Sequence, residues 1–195
     1  MAEPLVLKIG GSLFERSEDI TRILRSEGCR ALIIPGGGIF ADMARRCQVV
    51  SEDSAHWMAI LGMEQFGWYL ASFDIPITDT LETPERISIL LPYRVLKNED
   101  PLPHSWEITS DTIAAWVAWK LHLDLVVLKH VDGIHSSGKL LESVDHPITT
   151  DDVDPSFIRY VISKRVRALV VNGSHDERIV SAMRRLPTTG TTIGF

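Results

Sequence analysis

The segments Leu5-Val6-Leu7-Lys8-Ile9-Gly10-Gly11-Ser12 and Ala31-Leu32-Ile33-Ile34-Pro35-Gly36-Gly37-Gly38 decide the reading of this chain. Each is a short apolar run that ends on glycines. Glycine takes positive φ without steric penalty and lets the backbone come close to a ligand. Where such a turn opens a helix, the first N–H groups lack an intrahelical partner and form an anion site. Two such turns in succession, with Lys8 just ahead of the first glycine pair, predict a clamp for two phosphate-bearing ligands. The spacing is not that of a P-loop, whose lysine follows its glycines. Here the lysine lies on the strand, from which its ammonium can reach over the turn. Taken alone, Lys8 also reads as an edge-strand lysine beside a tight turn.

Outward from these turns, strands alternate with helices. Leu5–Ile9, Ala31–Ile34, Ile87–Leu91, Leu125–Leu128 and Ala168–Val171 are short and rich in Val, Ile and Leu, as buried parallel strands are. Helical stretches lie between them, over Asp19–Ser26, Ile39–Cys47, Ser54–Ser72, Ser110–Leu121, Pro155–Arg165 and Glu177–Leu186. This alternation predicts an α/β fold, a three-layer αβα sandwich with a mostly parallel open sheet. Ligands of such sheets bind beyond the carboxyl ends of the strands. All five runs are followed there by polar or glycine-rich turns.

The chain has 195 residues, enough for one compact domain over 1–195. A net charge of −6 argues against a nucleic-acid partner. No apolar run reaches membrane-spanning length, and no basic segment followed by an apolar core opens the chain. The 2 cysteines, Cys29 and Cys47, have no metal-type spacing. These features predict a cytoplasmic protein with no membrane association, no disulfide framework and no metal-ligand motif, acting on small-molecule substrates.

Several further residues are candidates for the site. Asp111 enters the strongly apolar helix that starts at Ser110. It either suits the helix dipole there or fixes Lys8 beside the clamp. Thr109 or Ser110 is expected to cap that helix, and Ser174 or Asp176 the last one. Asp132 and Gly133 form a turn after the fourth strand. His56 is either a partly exposed helix residue or a contact for an anionic acceptor. His104 lies before Trp106 in a loop facing the expected site. Trp106 is either a core plug or an aromatic face over a ring-shaped ligand, whereas Trp57, Trp68, Trp116 and Trp119 read as core at helical spacing.

Lys8-x-Gly10-Gly11-Ser12, the second glycine turn, Ser110-Asp111 before a helix, and Val131-Asp132-Gly133 occur in the order found in the amino acid kinase superfamily. The chain resembles that superfamily over nearly its whole length. The resemblance implies ATP with Mg²⁺ and in-line transfer of the γ-phosphoryl group. It implies that Lys8 contacts the transferring group, that Gly10, Gly11, Gly37 and Gly38 donate backbone hydrogen bonds, and that Asp111 organises the lysines. The acceptor side, with Gly36, Gly37, Gly38, His56, His104 and Trp106, would lie mainly in the N-terminal half. The nucleotide side, with Lys129, Asp132 and Gly133 joining Gly10, Gly11 and Ser12, would lie mainly in the C-terminal half. A homo-oligomer is implied, with Ser54–Ser72 as a candidate face.

Within the superfamily, Ile89-Leu90-Leu91-Pro92, His104 through Asp111, and Val170-Val171-Asn172-Gly173 look like the kinases of methanofuran biosynthesis. Those convert an aminomethylfuran phosphate into the diphosphate. An acceptor that is already a phosphate needs no general base. A kinase for another acceptor, carboxylate or phosphate, and a non-catalytic nucleotide-binding protein are the other readings. Two departures from the superfamily pattern stand out. Lys129-His130 replaces a Thr-Asp pair and brings a new cation toward the ATP phosphates. No Gly-Gly-Met segment with a second catalytic lysine follows, and Lys164 is the nearest substitute.

Overall fold

The computed structural model describes residues 3–47 and 50–194. Its centre is β1 (Leu5–Ile9), buried along its whole length and paired in parallel with both β2 (Ala31–Pro35) and β5 (Asp124–Lys129). A strand covered on both faces needs a nearly continuous apolar sequence, and Lys8 is the single polar residue in this one. Outside β2 lie β4 (Ser88–Leu90) and β3 (Ile77–Thr78); outside β5 lie β9 (Ala168–Asn172), β10 (Thr191–Ile193) and β8 (Ser143–Val144). The order is β3-β4-β2-β1-β5-β9-β10-β8, and the β9–β10 pair is antiparallel. A small hairpin, β6 (His135–Ser136) and β7 (Lys139–Leu140), stands apart from the sheet.

Helices cover both faces. Alternation along β1 sends Leu5, Leu7 and Ile9 to one face and Val6 and Lys8 to the other. The first face packs against α1 (Ser17–Ser26) and α7 (Asp176–Met183) through residues such as Ile20, Leu24 and Ile179. The second packs against α5 (Ser110–Leu121) and α6 (Phe157–Lys164) through Trp116, Phe157 and Val161. The long α3 (Glu52–Ala71) contributes to both cores, with Ile60 and Met63 in the second and Phe66 and Leu70 in the first. A short α2 (Gly38–Arg46) springs directly from the second glycine turn.

This is the three-layer α/β fold that the alternation predicts, with the five expected strands within about one residue of their positions. The structure adds what the apolar runs do not carry. Pro92 occupies the first turn of a helix α4 (Pro92–Glu99), where its missing N–H costs nothing. The edge strands β3 and β8 are only two residues long, and β10, next to β8, only three. Two capping expectations are corrected. Thr109 holds the cap position of α5 without capping it, and α7 is preceded by His175 with no side-chain cap. Of the tryptophans read as core, Trp116 is buried, Trp57 is partly buried, and Trp68 and Trp119 are exposed.

Candidate active site

A cleft of about 600 Å³ opens at the carboxyl ends of β1, β2 and β5. Its floor is made by the two glycine turns. Gly10 donates its N–H to Leu128 at 2.9 Å, and Gly36 donates to Ile9 at 2.8 Å, so each turn is tied to a neighbouring strand. The turns then touch: a Cβ on Gly11 would stand 2.2 Å from the Cα of Gly38, which itself has φ +51°. Only glycine permits that approach. Among the described residues no hydrogen-bond partner takes the N–H groups of Gly11, Ser12, Gly37 or Gly38. They begin a 3₁₀ turn (Gly11–Arg16) and α2, and all four residues line the cleft.

Above this floor sits a buried cluster of charges. Lys8 and Lys129 both project toward α5, because they share the strand face of Val6 and Val127. Asp111, in the first turn of α5, lies between them. The Lys8 ammonium is 2.6 Å from Oδ1, an ion-pair contact that leaves this oxygen without a directed hydrogen bond. Lys129 donates to Oδ2 at 2.8 Å. Burial holds the Lys8 ammonium below its ordinary range, although the Asp111 charge opposes that shift. Burial would also raise the Asp111 carboxyl, but the two lysines outweigh it and hold the group down to about 2. Asp111 is thus an ionised carboxylate between two cations, rather than a helix-start acid in water.

One member of this cluster has no signal in the local sequence. Asp154, in the loop before α6, accepts the N–H of Thr109 and of Thr112, each at 2.9 Å. Both threonine hydroxyls donate to it as well. It therefore caps α5 from 42 residues away. Its own N–H reaches Asp111 Oδ2 at 3.2 Å. A pattern search confined to the helix start finds Thr109 instead, because Thr109 occupies the right backbone position.

The outer part of the cleft carries Trp106, His56 and Arg45. Trp106 is 38% exposed, so it is not a core plug, and the Arg45 guanidinium lies 4.8 Å from its ring centre. His56 is half-buried and stacks on His104 with 4.1 Å between ring centres. Burial and the neighbouring His104 push its pKa down to about 4, so it is neutral at physiological pH.

Four expected site residues do not line the cleft. His104 has both ring nitrogens engaged, Nδ1 with Asp53 at 2.7 Å and Nε2 with Asp100 at 2.8 Å, and these bonds raise its pKa. It braces the loop that carries Trp106. Gly36 is consumed in tying the second turn to β1. Asp132 accepts from Asn172 at 2.9 Å and from Arg178, contacts that lower its pKa. Gly133 leaves room for Thr191, whose hydroxyl would lie 2.5 Å from a Cβ there. Lys164 stands over the Trp119 ring at 4.5 Å, at the end of α6 that leads into β9, on the opposite edge of the sheet. Lys129, not Lys164, is the second lysine beside Asp111. His130 follows it into the cleft and meets the Ser12 hydroxyl at 3.1 Å.

No family model matches the sequence. A [5-(aminomethyl)furan-3-yl]methyl phosphate kinase from Methanocaldococcus jannaschii is 32% identical over 200 residues, covering 91% of this chain and 92% of that protein. The chain belongs to this kinase family. Solved structures agree in fold. A uridylate kinase from Archaeoglobus fulgidus superposes with a TM-score of 0.74 at 15% identity, covering 98% of this chain and 100% of that one. A UMP kinase from Ureaplasma parvum gives 0.74 at 17% identity over 100% of both chains. An isopentenyl phosphate kinase gives 0.66 at 15% identity over 97% and 100%. The fold is therefore that of the amino acid kinases. Like the proteins it resembles, the chain is a phosphotransferase.

Proposed function

We propose that the chain transfers the γ-phosphoryl group of MgATP to [5-(aminomethyl)furan-3-yl]methyl phosphate and releases the diphosphate, a step of methanofuran biosynthesis. The observation that carries this is the Lys8–Asp111–Lys129 cluster over four free N–H groups, in a member of a kinase family named for that acceptor. Phosphoryl transfer between two phosphates brings two polyanions together. Its transition state is served by positioning and by fixed positive charge rather than by covalent chemistry.

The residues divide the work by place. Lys8 and Lys129 face the transferring group. The N–H groups of Gly11 and Ser12 receive nucleotide phosphate, and those of Gly37 and Gly38 receive the acceptor phosphate. Trp106 covers the furan ring, and neutral His56 donates a hydrogen bond on the acceptor side. Among the described residues no group of three His, Cys, Asp or Glu side chains is arranged to hold a metal ion. The donors present fit a metal that enters already coordinated by nucleotide phosphate, and such an ion supplies further charge neutralisation. The attacking oxygen is ionised at neutral pH, so no side chain has to remove a proton from it.

The same proposal covers the chain as one domain over 1–195, with acceptor side and nucleotide side as assigned above. No helix among the described residues is long and apolar enough to cross a membrane. A cytoplasmic location is a separate part of the same proposal. Ile39, Met43, Leu61 and Trp68 expose 41–63% of their surface on α2 and α3, which supports a homo-oligomer through that face.

The test is ATP turnover with the furan phosphate against uridine monophosphate, isopentenyl phosphate and N-acetylglutamate, with products read by ³¹P NMR. Preferred turnover of the furan phosphate to a diphosphate is expected. Preference for another acceptor places the chain elsewhere in the superfamily, and nucleotide binding without turnover makes it a sensor.

A further inference from the structure

Asp154 is a buried carboxylate that the phosphoryl-transfer scheme leaves unused. Its residue is 7% exposed, beside Lys8 at 3% and Asp111 at 2%. Every contact its carboxylate makes is with a donor: two backbone N–H groups and two threonine hydroxyls. Burial and the neighbouring Asp111 charge raise the Asp154 pKa, and this donor set opposes that shift by favouring the ionised form. The carboxylate also sits on the N-terminus of α5, where the helix dipole favours negative charge.

The cluster holds two lysines. Asp111 contacts both but balances only one of them. A buried cation without a counter-charge is strongly destabilised, and a lysine in that position tends to shed its proton. The charges facing Lys8 are Asp111 from α5, Lys129 from β5 and Asp154 from the loop before α6. With Asp154 ionised the set is two against two.

We propose that Asp154 is a positioning residue that supplies the missing counter-charge for the lysine pair and fixes Asp111 between the two ammonium groups. Both parts have a structural route. The Asp154 N–H holds Asp111 Oδ2, and its carboxylate fixes the first turn of α5 on which Asp111 stands. A second tie runs from the Ser156 N–H to the Glu107 carbonyl at 3.2 Å, so the same loop also braces the segment that presents Trp106. Asp154 touches neither substrate in this scheme. It acts by keeping Lys8 charged.

The inference rests on the kinase reading above, and its test separates the two. Asp154→Asn keeps the size and lets the amide oxygen accept the N–H groups while the amide nitrogen donates to Thr112. It removes the charge and reverses one hydrogen bond, that of the Thr112 hydroxyl. In the full-length enzyme, with acceptor saturating, the alkaline limb of kcat/KM for MgATP should move to lower pH by about one unit. Thr112→Val removes a hydroxyl from the cap and leaves all four charges, so it should lower Tm without moving that limb. A limb that stays in place for Asp154→Asn overturns the charge role. A limb that moves as far for Thr112→Val shows a cap and nothing more, and overturns it too.

A stability arm needs no turnover. Lys129→Met/Asp154→Asn removes one charge of each sign, so its loss in Tm should be smaller than the sum of the single losses. Should Asp154→Asn alone fail to fold, charge balance requires that the double variant fold. Additive losses, or a double variant that also fails to fold, refute the balance. Wild-type enzyme without turnover on any acceptor, combined with the non-additive Tm, would instead fault the functional reading and leave the charge pairing standing.

Discussion

Asp111→Asn distinguishes a helix-start acid from the keystone of a buried charge cluster. An exposed carboxylate in the first turn of a helix contributes about 0.3–1 kcal/mol. Asp111 is 2% exposed and lies 2.6 Å and 2.8 Å from two ammonium groups. Removing one partner of a buried ion pair costs about 3–5 kcal/mol, because the other partner is left charged and dry. In a domain of this size 1 kcal/mol moves Tm by about 2–4 °C, so the variant should melt about 6–20 °C below wild type at pH 7.

The pH dependence follows from the shifts. Burial already holds the Lys8 pKa down. Without the carboxylate it falls further, and the unfolded chain then binds a proton that the folded one releases. Stability rises with pH wherever the unfolded state binds more protons, so the deficit should narrow from pH 7 toward pH 10. On the acid side the folded pKa of Asp111 is depressed to about 2 from 3.8. Its contribution is complete above the unfolded value and disappears as pH falls through the folded one. The two melting curves should therefore converge at both ends. Circular dichroism melts of both proteins across about pH 2 to 10, with kcat at pH 7.5, give the result. A Tm within about 2 °C of wild type at pH 7, with a difference that does not vary with pH, refutes the clustered-charge argument. In the same preparation kcat should fall by about 100-fold or more, since both lysines lose their orientation.

Lys129→Met should lower kcat/KM by about 100-fold, roughly the loss of one charged transition-state contact, while Lys8→Ala does at least as much. A change of less than about 3-fold for Lys129→Met, measured in a coupled ADP assay, would remove it from the machinery. Trp106→Ala should raise the acceptor KM by about 2- to 10-fold, the worth of one aromatic stacking contact, and leave the KM for MgATP unchanged. Because Trp106 is 38% exposed, its loss should lower Tm by no more than a few degrees; a large drop would restore the core-plug reading. Gly11→Ala places a Cβ against the Gly38 backbone at 2.2 Å, so both KM values should rise together as the turns separate. Isothermal titration showing either ligand bound as tightly as by wild type would contradict a shared floor.

By itself the sequence determined the layers and the floor of the site. Strand and turn are local decisions. Short runs dominated by Val, Ile and Leu, such as Leu5–Ile9 and Ala31–Ile34, cannot face water on either side, and a Gly-Gly pair after them announces a backbone that must come close to something. Lys8 was legible through its place just ahead of the first glycine pair, although that place alone did not distinguish an edge strand from the central one it occupies. What only the tertiary structure decided is which charges meet. Lys129 is 18 residues from Asp111 in sequence, and Asp154 is 43 residues away. Their encounter depends on β5 lying beside β1 and on the loop before α6 crossing the start of α5. No helical or strand period links such positions. The same limit misplaced His104. Nothing local showed that Asp53, 51 residues earlier, would join Asp100 in holding both of its ring nitrogens. Backbone conformation is set largely by neighbours in the chain, whereas the partner of a buried charge is set by whatever the packed core leaves within about 3 Å of it.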